Sequence, residues 1–347
     1  MIKQRGDRIS QAIADQIAKD FVEYLDNWHS RPEVYDDELD AKLHQWYANE
    51  FKYKKVWPPR DMPYFSPSSA NSDLRELYEK INGAKRDVVQ KPPYQGRWQR
   101  IGTAIGDAIQ RDILIAERHL DNPAFRFEKN VDETPMFEEF AKESHAITHQ
   151  NKKFALYGAC DGILLYTSKD GEAIRVGLEI KSKQTTYSQT SLYSMREPKD
   201  DHIKQTVCYS IMYDVDYYII LYVNASKKGW NMSEEDYAKS PDIRAFGIYI
   251  TDTMRSDVLD TFVGVLEHIS KGIPPALDIE KWTFNNYKRA CALSLSDEEY
   301  DDIKRKSDRM LRSSLPDWKK SVYRECVEYI TTIRSEVTEA DKKETAS

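Results

Sequence analysis

The first part of the chain has the spacing of amphipathic helices. Within 8–28 the apolar positions stand four residues apart: Ile9, Ile13, Ile17, Phe21 and Leu25. This spacing predicts a helix, and a second helix is predicted over 37–52. A proline-rich segment at 56–68 interrupts the pattern, because proline cannot continue a helix. We place a subdomain boundary in this segment.

Two further helices are predicted before the first strands. A short helix over 72–82, capped by Ser69 or Asn71, precedes a longer helix over 98–119. The apolar side of the longer helix consists of Ile101, Ile105, Ala108, Ile109 and Ile113. Polar residues lie on or near its other side: Thr103, Gly106, Asp107, Gln110 and Glu117. We expect this helix to present carboxylates toward a cleft.

The period of the apolar residues changes to that of strands near residue 123. The elements predicted from there on are a short strand at 125–129, a helix near 136–150, strands at 154–167 and 173–182 joined as a hairpin, a helix at 199–214, strands at 215–224 and 244–251, and helices over 253–338. This order predicts an α/β fold with a mixed central sheet of four or five strands, flanked by helices. The last residues, ADKKETAS, are predicted to be disordered.

Composition and charge narrow the class of protein. A chain of 347 residues with 40% hydrophobic content can fill a sizeable core. The sequence has no apolar run of membrane-helix length and no apolar stretch of a signal peptide at its start, so we expect a cytoplasmic protein without membrane contact. Its four cysteines form no Cys-x-x-Cys pair, which argues against a zinc site. The net charge of −7 still allows a localised basic groove.

Two carboxylates face each other across the predicted hairpin. With the turn centred on Asp170, Asp161 and Glu179 are equally far from the centre. Cross-strand neighbours have Cβ atoms about 4.5–5.5 Å apart, which is close enough for two carboxylates to share one hard cation. If the register holds, the hairpin predicts a magnesium site.

The alternation of the strand adds a lysine to this pair. Glu179 and Lys181 lie on one face of the strand, whereas Ile180 points to the other face. Hydrolysis of a phosphodiester needs an oriented or activated water and positive charge near the phosphate, which a metal ion and an ammonium group supply. The residue types therefore point to metal-dependent phosphodiester hydrolysis.

The helix and loop that follow carry further polar groups. His202, Gln205 and Tyr209 share one helical face, which we expect over the metal edge of the sheet. Tyr187 and Tyr193 of the preceding loop are candidates for stacking on nucleobases. Candidates for phosphate contacts are Lys183, Arg196 and Lys199, and His202 is a further candidate for a contact with DNA. A solvated surface or simple packing is the alternative for each of these residues.

These pieces resemble the PD-(D/E)xK nucleases, in particular their RecB-like and lambda-exonuclease-like branch. The matching segments are Phe65–Ser69, Ile101–Asp107, Gly158–Ile163, Glu179–Ser182 and Gln205–Tyr209. They follow the family's order of a serine-rich entry, a first core helix, a metal-binding aspartate, a Glu-x-Lys strand and a Gln-x-x-x-Tyr helix. The resemblance covers residues 65–275 and implies a restriction-endonuclease-like core, with helical regions at 1–64 and 276–347.

The resemblance implies a divalent metal, Mg²⁺ or Mn²⁺, held by Asp161, Glu179 and the backbone carbonyl of Ile180. Many RecB-like members add a histidine from the first core helix, but Gly106 stands at that place here. Candidates for the missing ligand are Asp107, Gln110 and Glu117. The cysteine pattern of the iron-sulfur relatives is absent from the sequence, so we expect no iron-sulfur cluster.

The same resemblance implies a DNA nuclease in which Lys181 positions or activates the water, while Gln205 and Tyr209 orient the lysine, the water or the phosphate. The expected function is an exonuclease in DNA recombination, repair or phage DNA processing, with a recombination or replication protein as a further candidate partner. Two alternatives stay open. One is a structure-selective or restriction-type endonuclease, and the other is a non-catalytic DNA-binding or replisome-associated protein on the same fold.

Overall fold

The computed structural model describes residues 2–344 and, among these, the side chains of 7–336. The chain divides into two compact units. The first contains the residues up to Ala70, Lys91–Thr148 and Lys153–Leu259, and the second contains Asn71–Gln90, His149–Lys152 and the residues from Asp260 onward. Within the described part of the chain, no helix is long and apolar enough to cross a membrane.

Helices and strands largely follow the predicted order. The helices are α1 (Ile2–His29), α2 (Asp37–Tyr53), α3 (Leu74–Ile81), α4 (Pro93–His119), α5 (Asp200–Tyr213), α6 (Glu234–Lys239), α7 (Asp252–Lys271), α8 (Lys288–Leu293), α9 (Asp297–Leu311) and α10 (Asp317–Glu344). The strands are β1 (Tyr64–Phe65), β2 (Phe125–Phe127), β3 (Glu143–His149), β4 (Lys152–Gly158), β5 (Gly162–Thr167), β6 (Ala173–Lys183), β7 (Tyr217–Asn224) and β8 (Ile243–Tyr249).

Five strands form the central sheet of the first unit, in the order β2-β5-β6-β7-β8. The strands β6 and β7 are parallel, whereas the other neighbours are antiparallel. A smaller sheet has the order β1-β4-β3. The predicted fold class, a mixed central sheet of four or five strands flanked by helices, is therefore confirmed.

The main core of the first unit lies between the central sheet and helices α1, α2 and α4. Buried side chains from each element meet there, among them Phe21, Leu43, Ile113, Leu178 and Ile219. Strand β7 has the sequence YYIILYVN and is buried along most of its length. This burial explains its nearly continuous apolar run.

Helix α1 covers the edge strand β8. The side chain of Gln11 donates to the carbonyl of Gly247 at 2.8 Å and accepts from the amide of Tyr249 at 3.0 Å. A Cβ atom at position 247 would lie 1.9 Å from the carbonyl oxygen of Ala14. Only glycine allows the helix to come this close, and the helix occupies groups that an edge strand otherwise leaves free.

The predicted helix near 136–150 is wrong. Residues Glu138–Ala141 form only a short 3-10 helix, and Glu143–His149 is strand β3. The strand has a period of two and contains β-branched residues, both of which favour extended structure. The predicted strand at 154–167 is also wrong, because it is divided into β4 and β5, which belong to different sheets. The division leaves Asp161 just before β5.

Two smaller predictions also need correction. Helix α3 is capped by Asp73, whose side chain accepts from the amide of Arg75, and not by Ser69 or Asn71. Helix α10 continues to Glu344, so most of the tail predicted to be disordered is helical. The last three residues of that tail lie outside the described residues.

The second unit is helical. Its core combines α8, α9 and α10 with a 3-10 helix at Ile279–Phe284. The side chains of Trp282, Cys291, Tyr323 and Ile330 are buried in this core. These residues explain why the region after α7 shows the apolar spacing of helices without the alternation of strands.

Arg75 of α3 is a polar centre of the second unit. Its guanidinium is fully buried and donates to the carbonyl of Pro275 at 3.0 Å and to the carboxylate of Glu299 at 2.8 Å. The nearby Asp73 accepts from the backbone amides of Arg75 and Asp278. Its second oxygen has no hydrogen-bond partner among the described residues, and burial raises the pKa of Asp73 to about 6.

Candidate active site

The central hairpin has the register that places Asp161 beside Glu179. Gly162 pairs with Leu178 as the last pair of the β5–β6 ladder, so Asp161 takes the next position, opposite Glu179. The carboxylate of Asp161 accepts a hydrogen bond from the backbone amide of Ile180 at 2.5 Å. The register on which the predicted carboxylate pair depends is therefore present.

Lys181 lies next to this pair. Its Nζ atom is 2.6 Å from Oε1 of Glu179 and donates to Oε1 of Gln205 at 2.9 Å. The amide nitrogen of Gln205 is 3.5 Å from the hydroxyl of Tyr209. The structure thus brings together the five residues predicted to be catalytic, whose roles stay a prediction: Asp161, Glu179, Lys181, Gln205 and Tyr209.

Helix α4 contributes Gln110 to the same place. The Gln110 amide nitrogen donates to the backbone carbonyl of Asp161 at 2.8 Å and lies 3.4 Å from Oε1 of Glu138. Glu117, another candidate ligand on this helix, instead forms an ion pair with Lys129 at 3.1 Å. Of these two candidates, only Gln110 contacts the residues of the hairpin site in the described structure.

Glu138 is a third carboxylate, which the sequence reasoning missed. It has a φ of 46°, a backbone conformation that residues other than glycine seldom adopt. Its backbone amide donates to the carbonyl of Cys160 at 2.9 Å, one residue before Asp161. Burial raises the pKa of Glu138, with smaller contributions from the carboxylates of Asp107 and Glu179. Glu138 therefore lies with Asp161 and Glu179. We call these three carboxyl groups, together with Gln110, the acidic half of the site.

The carboxyl groups of this acidic half are buried close to one another. Loss of hydration raises the pKa of both Asp161 and Glu179, and repulsion from Glu179 raises that of Asp161 further. Two buried acceptors, Oε2 of Glu179 and Oε1 of Gln110, have no hydrogen-bond partner among the described residues. Both side chains are 2% exposed. Native proteins rarely leave buried acceptors unpaired, which indicates a missing water or ion.

The donor set fits a hard divalent cation. Within the described residues, no three His, Cys, Asp or Glu side chains converge to form a metal site by themselves. Mg²⁺ does not require such a set, because proteins commonly bind it through one or two carboxylates and leave the other positions to water and phosphate. Asp161, Glu179 and Oε1 of Gln110 supply oxygen donors of this kind. Zinc, which prefers nitrogen and sulfur, fits less well.

A basic cluster lies beside Lys181, around the buried Tyr222. Tyr222 pairs with Lys181 in the β6–β7 ladder. Its hydroxyl accepts from the backbone amide of Lys199 at 3.1 Å and lies 2.7 Å from Nδ1 of His202, while Nζ of Lys183 is 4.9 Å from its ring centre. Burial and the neighbouring lysines lower the pKa of Lys183, and they lower that of His202 to about 4. The cluster therefore favours an anionic ligand.

The other predicted DNA contacts lie in the loop after β6. Tyr187 is exposed, and Tyr193 is 82% exposed. The guanidinium of Arg196 is 5.3 Å from the ring centre of Tyr193. An exposed ring beside a cation suits stacking on a nucleobase next to a phosphate. A role for these three residues in binding DNA stays a prediction.

The first half of α4 runs past the end of β6. The side chain of Gln184 donates to the carbonyl of Trp98 at 3.1 Å. Trp98 and Ile101 are exposed, and the apolar side predicted for 98–119 is fully buried only from Ile109 onward. The expectation that Ile101 belongs to a buried face is therefore wrong, because α4 begins earlier than predicted and extends beyond the core.

Comparisons with known proteins give a structural likeness only. No family model matches the sequence, and no curated protein matches it. The chain is similar to the crystal structure of SSO0001, with 12% identity over 76% of this chain and 100% of that chain and a TM-score of 0.38. It is also similar to an alkaline exonuclease from Laribacter hongkongensis, with 10% identity over 66% of this chain and 93% of that chain and a TM-score of 0.36. It is similar, too, to a phage-related exonuclease from Haemophilus somnus, with 14% identity over 59% of this chain and 81% of that chain and a TM-score of 0.32. Likeness of this size carries no argument about function, which has to come from the side chains.

Proposed function

We propose that the chain is a Mg²⁺- or Mn²⁺-dependent deoxyribonuclease, and specifically an exonuclease that hydrolyses phosphodiester bonds at DNA ends. The observation that carries the proposal is the position of Lys181. Its ammonium lies 2.6 Å from Glu179, on the strand whose register sets Glu179 opposite Asp161. The second oxygen of Glu179, Oε2, is buried without a hydrogen-bond partner among the described residues, so it is available to a cation.

A phosphodiester together with a divalent cation fits both halves of the site. The acidic half presents clustered carboxylates and two unpaired oxygen acceptors. The basic half presents Lys183, Lys199 and His202 around Tyr222. Asp201 lies 3.8 Å from His202, and Lys181 lies 2.6 Å from Glu179, so the chain itself neutralises each half only in part. A metal-associated phosphate supplies both charges.

The acidic residues would hold the cation. Asp161 and Glu179 would supply carboxylate ligands, and the carbonyl of Ile180 and Oε1 of Gln110 would supply further oxygens. When bound, the cation would supply Lewis-acid stabilisation of negative charge on the phosphate. Glu138 would add negative charge close to these ligands and hold the amide of Gln110 in its orientation.

Lys181 would act on the water and on the phosphate. Its ammonium is held between Glu179 and Gln205, so its free donor can point to a phosphate oxygen or to the attacking water. An ammonium fixed before the reaction stabilises developing negative charge without reorganising at that moment. Gln205 fixes the lysine, and Tyr209 lies beside Gln205 at the edge of hydrogen-bonding distance.

The test of the proposed function is cleavage of end-labelled linear DNA and of closed circular DNA, each with Mg²⁺, with Mn²⁺ and with chelator. The variants are Glu179→Ala and Lys181→Ala. Lys52→Ala is the matched control, because Glu50-Phe51-Lys52 repeats the Glu-x-Lys triplet on helix α2 and Lys52 is exposed. We expect loss of linear DNA alone, dependent on metal, abolished in both site variants and retained in the control.

Other outcomes change the conclusion in different ways. Cleavage of closed circles would make the protein an endonuclease, since circles have no end. DNA binding without cleavage under every condition would overturn the catalytic proposal and leave a DNA-binding protein on a nuclease-like fold. Cleavage that survives both site variants would place the active site elsewhere.

A further inference from the structure

The turn between α9 and α10 concentrates positive charge in an otherwise acidic chain. We call residues 304–324 the basic tip. It contains eight Lys or Arg residues and only two Asp residues, whereas the whole chain has a net charge of −7. Two of these cations are neutralised locally, because Lys304 pairs with Asp301 at 2.6 Å and Arg305 pairs with Asp302.

Six cations of the basic tip have no ion pair among the described residues: Lys306, Arg309, Arg312, Lys319, Lys320 and Arg324. They come from both helices, close to the turn that joins them. Like charges repel, so a group of unpaired cations costs stability when no anion is present. Ordinary solvated surfaces mix charges of both signs in similar numbers, whereas the basic tip has eight cations and two carboxylates.

Helix electrostatics explain only part of this charge. Arg309 and Arg312 lie at the end of α9, where a cation stabilises the helix dipole. Lys319 and Lys320 lie in the first turn of α10, where a cation is unfavourable. The lysines at the start of α10 therefore do not serve the stability of their own helix.

An indole stands among these cations. Trp318 is 67% exposed, and Nζ of Lys319 is 5.5 Å from its ring centre. In the core of the second unit, the first residues contributed by α10 are Val322 and Tyr323, and Trp282 is the buried tryptophan. Trp318 thus lies outside the core. An exposed ring beside a cation suits a ligand that has both planar apolar surfaces and negative charge.

We infer that the basic tip is a DNA-binding site separate from the candidate active site. Its cations contact backbone phosphates, and Trp318 packs on a base or sugar. The contact reads no sequence, because it rests on charge and stacking. The inference goes beyond the proposed function, since it involves none of the residues of that site and requires no cleavage.

The experiment measures binding of the full chain to fluorescently labelled single-stranded and duplex DNA in chelator, over a series of salt concentrations. The test variant combines Arg312→Gln, Lys319→Gln and Lys320→Gln. The control combines Lys19→Gln, Lys42→Gln and Lys271→Gln, which remove the same charge from exposed helical positions elsewhere. Circular dichroism and thermal unfolding check that both variants fold.

The test variant should bind DNA at least about tenfold more weakly, and the slope of log K against log salt should fall by about 2, because each lost phosphate contact removes about 0.7–0.9. The control should keep the wild-type slope. Trp318→Leu should reduce the quenching of tryptophan fluorescence by DNA. An unchanged affinity and slope in a folded test variant would overturn the inference.

Two further comparisons distinguish DNA binding by the basic tip from membrane binding and from the proposed nuclease activity. If the test variant loses binding to phosphatidylserine vesicles but keeps binding to DNA, the basic tip is a membrane-surface contact and the inference is wrong. Because the binding assay contains chelator, it does not depend on catalysis. If binding depends on the basic tip but the protein cleaves no DNA, the inference is supported and the proposed nuclease activity is contradicted. If the protein cleaves DNA but binds it equally well without the tip cations, the nuclease is supported and the inference is wrong.

Discussion

The carboxylate of Asp161 accepts a hydrogen bond from the backbone amide of Ile180 at 2.5 Å. This bond joins the residue just before β5 to the middle of the Glu179-Ile180-Lys181 segment in β6. It holds the Asp161 carboxylate beside that of Glu179 although the two repel each other. The backbone thus prepares a site for positive charge before any ligand arrives.

Asp161→Asn should stabilise the protein in chelator and abolish its stabilisation by metal. The asparagine oxygen can still accept from Ile180, while one of the two repelling charges is gone. In wild-type protein, Mn²⁺ at about 100 times its Kd should add about 2.7 kcal/mol to the free energy of unfolding. Thermal unfolding with and without Mn²⁺ measures both effects. Asp170→Asn, in the hairpin turn, is the control, and an equal metal response in Asp161→Asn would contradict the proposed ligand.

Gln205→Met should lower kcat about 10- to 100-fold with little change in KM, because Gln205 holds Lys181 and is not expected to bind substrate in the ground state. Tyr209→Phe should have a much smaller effect, since its hydroxyl lies at the limit of hydrogen-bonding distance from Gln205. Steady-state kinetics on a linear substrate separate the two parameters. A rise in KM alone would show that Gln205 binds DNA and does not position the lysine.

Glu138→Gln should weaken Mn²⁺ binding about tenfold, because it removes negative charge beside the proposed ligands. Substitutions of residues that contact metal ligands commonly weaken metal binding by this amount. Glu139→Gln is a close control, since the neighbouring Glu139 is paired with Lys142 at 2.8 Å. Isothermal titration of the chelator-treated proteins gives both affinities without depending on cleavage. Equal affinities in the two variants would remove Glu138 from the acidic half of the site.

Asp73→Asn should change the pH dependence of stability. The folded-state pKa of Asp73 is raised to about 6, so its carboxyl group favours folding at low pH and loses that contribution as the pH rises through this value. Relative to the variant, wild-type protein should lose up to about 3 kcal/mol between about pH 4 and pH 7, at 1.36 kcal/mol for each pKa unit. Urea unfolding at a series of pH values measures the difference, and parallel curves would contradict it.

Gly247→Ala should destabilise the first unit by about 2–4 kcal/mol, because the added Cβ would overlap the backbone of α1 at Ala14. Gly264→Ala is the matched change, since a Cβ there meets nothing within 4 Å and lies inside helix α7. That variant should gain about 0.5–1 kcal/mol. Denaturant unfolding compares the two, and a neutral Gly247→Ala would mean that the helix can move away from the strand.

The hairpin could be predicted from the sequence because its information is local. Gly171 adopts a φ of 82° in the turn, and the period of two then fixes which residues face each other. Asp161 and Glu179 are related by this symmetry alone. The helix α5 was equally predictable, because Gln205 and Tyr209 are one turn apart in any helix.

Glu138 and Tyr222 could not be predicted in the same way, because each joins the site through distant parts of the chain. Glu138 arrives through a 3-10 helix in a segment that was predicted as part of a longer helix. Its left-handed backbone has no sequence signal, since glutamate is not a residue that favours it. Tyr222 meets the basic residues only after β7 pairs with β6.

The cover of strand β8 has a consequence for how the chain folds. The contact between Gln11 and Gly247 spans 236 positions, so during synthesis α1 leaves the ribosome long before the strand that it covers. Until then the part of α1 around Gln11 and Ala14 has no strand to cover, and the first unit can close only after β8 has been made. Pairing at this separation slows folding. A nascent or truncated chain that ends before β8 should therefore depend on chaperones. The edge strand β8, in contrast, is synthesised only after α1, the helix that covers it.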